Sequence, residues 1–283
     1  MNMTRYLILA LALLLGARCM QARRAVLMAH YGSSDDATRA ATIDLITADV
    51  KAALPGMEVR QALISPVVRH NLAARGLHAD SPDMALLRLA TEGYDTVYIQ
   101  PSTILDGEET AEVRRAADRT RPFFSCLEVG KPLCFSPDDC LRLVDVLLRE
   151  PKAADEAVIF VGHGNNLPST ATYCQLDYMM ASSGKPGYQV STIEGYPTAH
   201  TTLARLATDK KVRRVRLVPL LLVCGNHTRR DIAGDFADVI RAAGLDVRVQ
   251  MRGLAELPAI RALYVDRVLR LTATPQATRT DAK

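Results

Sequence analysis

Short apolar runs separated by stretches of helical period recur along this whole chain, and that alternation constrains its fold more than any other feature. Ala25–Ala29, Val59–Ile64, Thr96–Ile99, Ala157–Val161, Tyr188–Ile193 and Val215–Val223 read as buried strands. Runs that are apolar on both faces belong to parallel sheets, because each crossover between parallel strands lays a helix over the sheet. Between them, Thr38–Ala53 and Asp138–Leu148 carry apolar residues at helical spacing, the second behind the start signal Ser136-Pro137-Asp138. The fold class expected is therefore α/β, with helices on both faces of parallel sheets.

The pattern also repeats. AVLMAHYGSS from Ala25 echoes AVIFVGHGNN from Ala157, which sets Gly32 on Gly164 and Tyr31 on His163. A second echo aligns VYIQPSTILDGEE from Val97 with VRLVPLLLVCGNH from Val215, pairing Pro101 with Pro219, Gly107 with Gly225 and Glu109 with His227. A length of 283 residues accommodates about two domains, so the echoes predict two similar three-layer αβα lobes with a cleft between them. The expected division is 23–150 for the first lobe and 151–258 for the second, with Pro151–Glu156 as the crossover and a final helix, Ala259–Leu271, packing back on the first lobe. In open α/β sheets ligands bind beyond the carboxyl ends of the strands, so residues just after each strand are the ones to examine.

Residues 1–22 stand apart from this pattern. Arg5, the apolar run Leu7–Leu15 and the small residues Gly16, Ala17 and Ala22 form the layout of a secretory signal peptide, which predicts a periplasmic protein. The run is shorter than the roughly 20 apolar residues a spanning helix needs, so no stable membrane span is expected. Loss of residues 1–22 removes Arg5 and Arg18 and no acid, taking the formal charge from +4 to +2. A nearly neutral chain with 5% aromatic residues and no Trp lacks the electrostatic and stacking footprint of a nucleic-acid binder. Cys126, Cys134, Cys140, Cys174 and Cys224 remain, and in an oxidising compartment a disulfide among Cys126, Cys134 and Cys140 is expected rather than a metal site, since no CxxC spacing or neighbouring His accompanies them.

Several enzyme motifs are missing: there is no GxSxG elbow, no HExxH and no GxxxxGK[ST] loop, and GHGNNL at Gly162 has Leu167 where the dinucleotide fingerprint needs glycine. No nucleotide is expected. What the second half offers instead is His163, Glu194 and His227, each just after a strand and each beside a glycine. If the strands are parallel, their carboxyl ends share one rim and the three side chains converge. Two imidazoles and a carboxylate suit Co, Fe, Ni or Zn divalent ions and leave a coordination position open for chemistry. His30, His70, His78 and His200 read as structural or exposed.

The runs VGHGNN, STIEGYPT and PLLLVCGNHTRRDIAGD, with AHYGSS and YIQPSTILDGEE in the first half, resemble the anaerobic cobalt chelatase family of CbiK type. The similarity spans about Val26 to Arg267 and is strongest around His227. It implies a bilobal chelatase fold, an ATP-independent lyase-type reaction in cobalamin or sirohaem synthesis that inserts Co(II), with Fe(II) as the alternative, into a sirohydrochlorin-like tetrapyrrole, and His163, Glu194 and His227 as metal ligands. Two pyrrole protons must leave as the metal enters, and His163 and Glu194 are the candidate acceptors. Sirohydrochlorin is a polycarboxylate, which makes Asn226, Arg229, Arg230, Ser33 and Ser34 candidate donors to it, with helix capping as the other explanation of the serines. Tyr196 and Pro197 are candidates for an apolar wall. The chain departs from the family at Gln100-Pro101-Ser102-Thr103, where members often read Q-S-L-H; Thr103 thus removes the imidazole position associated with haem between subunits in some exported relatives. Apolar helix faces are compatible with a homo-oligomer. Export of a chelatase-like chain also raises the rival expectation of a carrier delivering haem, a tetrapyrrole or a metal to an envelope transporter.

Overall fold

The computed structural model describes residues 22–225 and 230–273; residues 1–21, which hold nearly all of the expected signal peptide, lie outside it. Two four-stranded parallel sheets form the frame. In the first, β1 (Arg24–His30), β2 (Glu58–Leu63), β3 (Thr96–Pro101) and β4 (Cys126–Val129) are ordered β2-β1-β3-β4. In the second, β5 (Glu156–Gly162), β6 (Tyr188–Thr192), β7 (Arg214–Pro219) and β8 (Asp246–Val249) are ordered β6-β5-β7-β8, the same topology repeated. All six strands expected from the sequence are present. β7 stops at Pro219 rather than Val223; Leu220 N–H to Val161 O at 2.8 Å is the bond that closes its ladder with β5. The two unread strands, β4 and β8, are four residues long, edge-placed and only partly buried, so neither shows the continuous apolar run that marks the others.

The helices begin where local chemistry starts them. α3 (Pro66–Ala73), α4 (Pro82–Thr91) and α6 (Pro137–Leu147) each have Ser at the N-cap and Pro in the first turn, and the hydroxyls of Ser65, Ser81 and Ser136 accept from Val68, Met84 and Asp139 N–H at 3.3 Å. The helix expected over Thr38–Ala53 is two, α1 (Asp36–Ala41) and α2 (Ile43–Ala53), broken at Thr42, whose hydroxyl bonds back to Thr38 O. α5 (Glu108–Thr120), α7 (Ala171–Ser182), α8 (Ala199–Leu206), a π-helical turn (Asp231–Phe236) running into α9 (Ala237–Ala242), and α10 (Pro258–Ala273) complete the layers.

The lobes are joined by an exchange of helices. α6 follows the last strand of the first sheet but packs on α7 of the second lobe, whereas α10 follows β8 and packs on α2 and β3 of the first. One buried cluster therefore runs through both lobes: Val26, Met28, Ile46 and Tyr98 meet Ile260, Tyr264 and Val268, while Val158, Phe160, Leu176 and Met180 meet Leu143, Val144 and Leu147. A fully buried side chain such as Tyr264 or Ile260 is worth roughly 2–3 kcal/mol of transfer free energy, so the exchange fixes the lobes to one another.

The disulfide expected among Cys126, Cys134 and Cys140 is not formed. All five described cysteines are free, Cys126 being half-buried at the start of β4 while Cys134 and Cys140 lie buried. His30 is wholly buried between Ser102 Oγ, 2.7 Å from its Nδ1, and Thr47 Oγ1, 2.9 Å from its Nε2. His70, His78 and His200 are exposed.

Candidate active site

β5 lies between β6 and β7, so residues leaving these three strands share the carboxyl rim of the second sheet. The last registered pair of β5 and β6 is Gly162 with Thr192. Beyond it the ladder runs on for two bonds, Ile193 N–H to Gly162 O at 3.0 Å and Glu194 N–H to His163 O at 2.7 Å. That last bond sets His163 and Glu194 side by side, both exposed. The approach depends on Gly164: a Cβ there would lie 1.4 Å from Glu194 O, and its φ of +81° is a conformation glycine adopts without strain.

The His163 ring is oriented by its own loop. Nδ1 lies 3.0 Å from Gly164 O, and since a carbonyl only accepts, Nδ1 is the donor there and Nε2 is the nitrogen the neutral ring would offer to a ligand. This is the tautomer a metal-ligating imidazole uses, with the second nitrogen anchored to backbone. Beneath it lies the ring of Tyr173, 2.1 Å from where a Cβ on Gly162 would stand; burial pushes the phenol pKa up, and backbone amides of Gly164 and His163 face its oxygen.

From the other lobe, Glu109 enters the same region. It stands in the first turn of α5, behind the N-cap Gly107. A Cβ on Gly107 would meet Glu109 Oε2 at 3.4 Å, Ser169 Oγ at 3.8 Å and Asn165 Nδ2 at 4.0 Å, which locates the line where the lobes face each other. The Glu109 charge acts on Tyr173 across that line. Glu109 was absent from the residues singled out in the sequence as site candidates, although the internal echo aligns it with His227; the signal was the repeat itself.

The remaining candidates are spread more widely. Asn226, His227 and Arg229 lie outside the described residues, the chain being described as far as Gly225 and again from Arg230. Arg230 is exposed at the entry to the π-helical turn. Ser33 is buried and its hydroxyl accepts from Asp35 N–H at 3.2 Å, and Ser34 uses its carbonyl to hold Arg75. Neither caps α1; Asp35 does, accepting from Thr38 N–H at 2.7 Å. Tyr196 is 54% exposed on the rim while Pro197 is buried, its carbonyl accepting from Ser191 and Thr192. Thr103 Oγ1 bonds to Thr110 Oγ1 at 2.7 Å, tying the end of β3 to α5. Among the described residues no group of three or more His, Cys, Asp and Glu side chains could hold a metal ion. An open hollow of about 320 Å³ beside Lys152, Glu156, Arg216 and Gln250 lies at the opposite, amino ends of β5 and β7, with Arg216 held by Glu156 and Gln250.

A family model described as cobalt chelatase (CbiK) matches residues 24–273. The sirohydrochlorin cobaltochelatase of Salmonella typhimurium is 34% identical over 250 residues, covering 86% of this chain and 94% of the relative. Sirohydrochlorin cobaltochelatase CbiKC of Nitratidesulfovibrio vulgaris is 30% identical over 253 residues, covering 86% and 89%. Among solved structures, SirB from Bacillus subtilis with Fe3+ aligns with a TM-score of 0.63 at 14% identity, covering 89% of this chain and 96% of that one. CbiX, described as the terminal enzyme of sirohaem biosynthesis in denitrifying bacteria, aligns at 0.53 with 17% identity, covering 87% and 99%. At these identities the structural likeness speaks to the fold, two α/β lobes of chelatase type.

Proposed function

This chain belongs to the cobalt chelatase (CbiK) family and is a metal chelatase, and from that premise we propose that it inserts Co(II), with Fe(II) as the alternative substrate metal, into sirohydrochlorin without ATP, using His163, Glu194 and His227 as the ligands that present the ion. The observation that carries the residue assignment is the Glu194 N–H to His163 O bond, which brings an imidazole with a free Nε2 and a carboxylate together at the end of two adjacent parallel strands. His227 follows β7, the strand on the other side of β5, which supports it as the third ligand.

The reaction exchanges one divalent ion for two pyrrole protons, so the site must hold a cation and then accept protons as the macrocycle takes it. Neutral His163 has one free nitrogen and cannot ligate and accept a proton there at once. Glu194 beside it, and Glu109 facing it from the other lobe, offer carboxylate oxygens for the second task. Metal affinity falls on acidification, since imidazolium is no ligand. The carboxylates of the tetrapyrrole call for donors at the rim, a role we assign to Asn226, Arg229 and Arg230, with Ser33 and Ser34 from the first lobe. Exposed Tyr196 offers an aromatic face to the ring. We also read the protein as periplasmic; in support, the family match begins at Arg24, just past the stretch with signal-peptide layout.

The test is anaerobic insertion of Co(II) into sirohydrochlorin followed by absorbance, with the unmutated protein and His163→Ala compared in one preparation. The expected loss in the variant is about 100-fold or more, the scale of removing a positioned acid–base or ligand group. Turnover no faster than the spontaneous rate in the unmutated protein, with tetrapyrrole or metal still bound tightly, would overturn the enzyme reading in favour of an exported carrier.

A further inference from the structure

We propose that Tyr173 is a positioning residue for chelation: its ring is the platform that holds the turn carrying His163 against Glu194. The proposal rests on the assignment of His163 and Glu194 as ligands, and its test lets the two fail separately.

β5 ends on Gly162, and the chain then turns through His163 and Gly164. The edge of the Tyr173 ring lies against the start of that turn. A Cβ on Gly162 would stand 2.1 Å from Tyr173 Cε1, 2.7 Å from Cζ and 2.9 Å from Cδ1, so ring carbons occupy the space a side chain at 162 would need. Gly162 does not have a positive φ, and it is therefore the ring, not the backbone conformation, that excludes a Cβ there.

The other ligand turn rests on the same short segment. Gly195, next after Glu194, has a φ of +90°, and a Cβ on it would lie 3.0 Å from Thr170 Oγ1 and 3.2 Å from Asn165 O. Thr170 is the N-cap of α7 with helical backbone angles, and Tyr173 stands three residues on, so the two share a face of the helix start. That face backs both turns, and the Glu194 N–H to His163 O bond at 2.7 Å ties them together over it.

Tyr173 is itself held. It is 6% exposed and belongs to the buried cluster that runs through both lobes, with Leu105 of the first lobe and Leu176 and Met180 of its own helix. A ring in a close-packed cluster has little room to move, so a turn seated on it inherits its position. Tyr173 acts through His163 rather than on the ion. Support of this kind behind a metal ligand is worth about 10–100-fold in metal affinity or activity.

The experiment uses the full chain and compares the unmutated protein with Tyr173→Leu, Tyr173→Phe, Gly162→Ala and His163→Ala. Without metal, amide hydrogen exchange is followed at Glu194, whose N–H makes the bond between the turns. Binding of Co(II) alone is titrated by its visible absorption, and kcat and KM are then separated with sirohydrochlorin. Tyr173→Leu should exchange the Glu194 amide about 10-fold faster, bind Co(II) about 10-fold more weakly and lower kcat by a similar factor, with KM for sirohydrochlorin within about 2-fold. Tyr173→Phe keeps the ring carbons on Gly162 and should bring all three back to within about 3-fold of the unmutated protein. Gly162→Ala drives a Cβ into the ring from the other side and should reproduce the Tyr173→Leu losses, which keeps the proposal testable if that variant fails to fold. Unchanged Glu194 exchange and Co(II) affinity in folded Tyr173→Leu or Gly162→Ala overturns the proposal, as does a Tyr173→Phe variant as impaired as Tyr173→Leu. A His163→Ala variant that binds Co(II) as tightly as the unmutated protein overturns the ligand assignment and the proposal together; weakened binding there beside an unaltered Tyr173→Leu overturns the proposal alone.

Discussion

The two lobes can be compared bond for bond at the carboxyl ends of their central strands. In the first, Ile64 N–H reaches His30 O at 2.7 Å and Ser65 N–H reaches Tyr31 O at 3.1 Å; in the second, Ile193 reaches Gly162 at 3.0 Å and Glu194 reaches His163 at 2.7 Å. Ser102 to Ala29 and Leu220 to Val161, at 2.9 and 2.8 Å, match in the same way. On this shared backbone the first lobe displays Tyr31 and Ser65 where the second displays His163 and Glu194. The niche behind also differs: in the first lobe the His30 imidazole fills it from the strand, while in the second Gly162 leaves it open and Tyr173 fills it from α7. A duplicated scaffold thus supplies the same positions twice, and the ligand pair proposed for metal presentation appears in one copy only.

The glycines that follow provide the sharpest way to break this comparison. Gly32 and Gly164 occupy equivalent turns with φ of +107° and +81°. An added Cβ meets only side-chain atoms of Val68 and Leu63 at 3.1–3.4 Å in the first lobe, but the carbonyl oxygen of Glu194 at 1.4 Å in the second. Gly32→Ala should cost about 1–2 kcal/mol, the left-handed strain alone. Gly164→Ala should cost roughly 4 kcal/mol or more and, in the fraction that folds, lower chelation about 100-fold by moving Glu194 from His163. Denaturant unfolding and the insertion assay on both variants check this. Equal losses would mean that the two rims are not specialised.

The buried imidazole makes the next difference measurable. Desolvation pushes His30 from 6.5 down to about 3. The folded state therefore keeps this group neutral while the unfolded chain protonates it, so between these values the unfolded state binds the extra proton. Stability is at its full value above pH 6.5 and is lost as pH falls toward about 3, by about 1.4 kcal/mol per pH unit from this residue. His30→Gln should be less stable at pH 7 yet lose less stability between pH 7 and pH 4, by one proton's slope. Parallel pH profiles of unfolding free energy for the two proteins would remove His30 as the source.

Much of this was legible in the sequence, and the reasons are particular. β1, β3, β5 and β7 are the central strands and almost wholly buried, so most of their residues are apolar, and the echo of AHYGSS in VGHGNN carried the duplication. His163 and Glu194 were readable as post-strand polar residues beside glycine. The helix exchange was only half legible: the apolar period of α10 marked it as packed, but Ser136-Pro137-Asp138 says where α6 starts and nothing about which lobe it joins. That is decided by long-range burial of Leu143, Val144 and Leu147 against α7. The cysteines failed for a related reason, since proximity in sequence grouped Cys126 with Cys134 and Cys140, whereas Cys126 opens the edge strand β4 and Cys140 is buried inside α6, and all stay free.

The exchanged helices also set the smallest expected effect. α6 starts with a full capping box, and Ser136→Ala removes the hydroxyl that accepts from Asp139 while leaving the packing of Leu143, Val144 and Leu147 on the second lobe intact. A lost N-cap costs about 1 kcal/mol, which in a chain of this size lowers Tm by roughly 2–4 °C. Insertion of Co(II) well below that temperature should be unchanged if α6 only holds the lobes together. The same turn, however, braces the carbonyls of Thr103 and Ile104 on the way to Glu109. A fall in insertion rate larger than the small stability loss explains would show that the start of α6 sets the position of the first lobe's wall, and that the lobe lacking the proposed ligand pair still shapes the site.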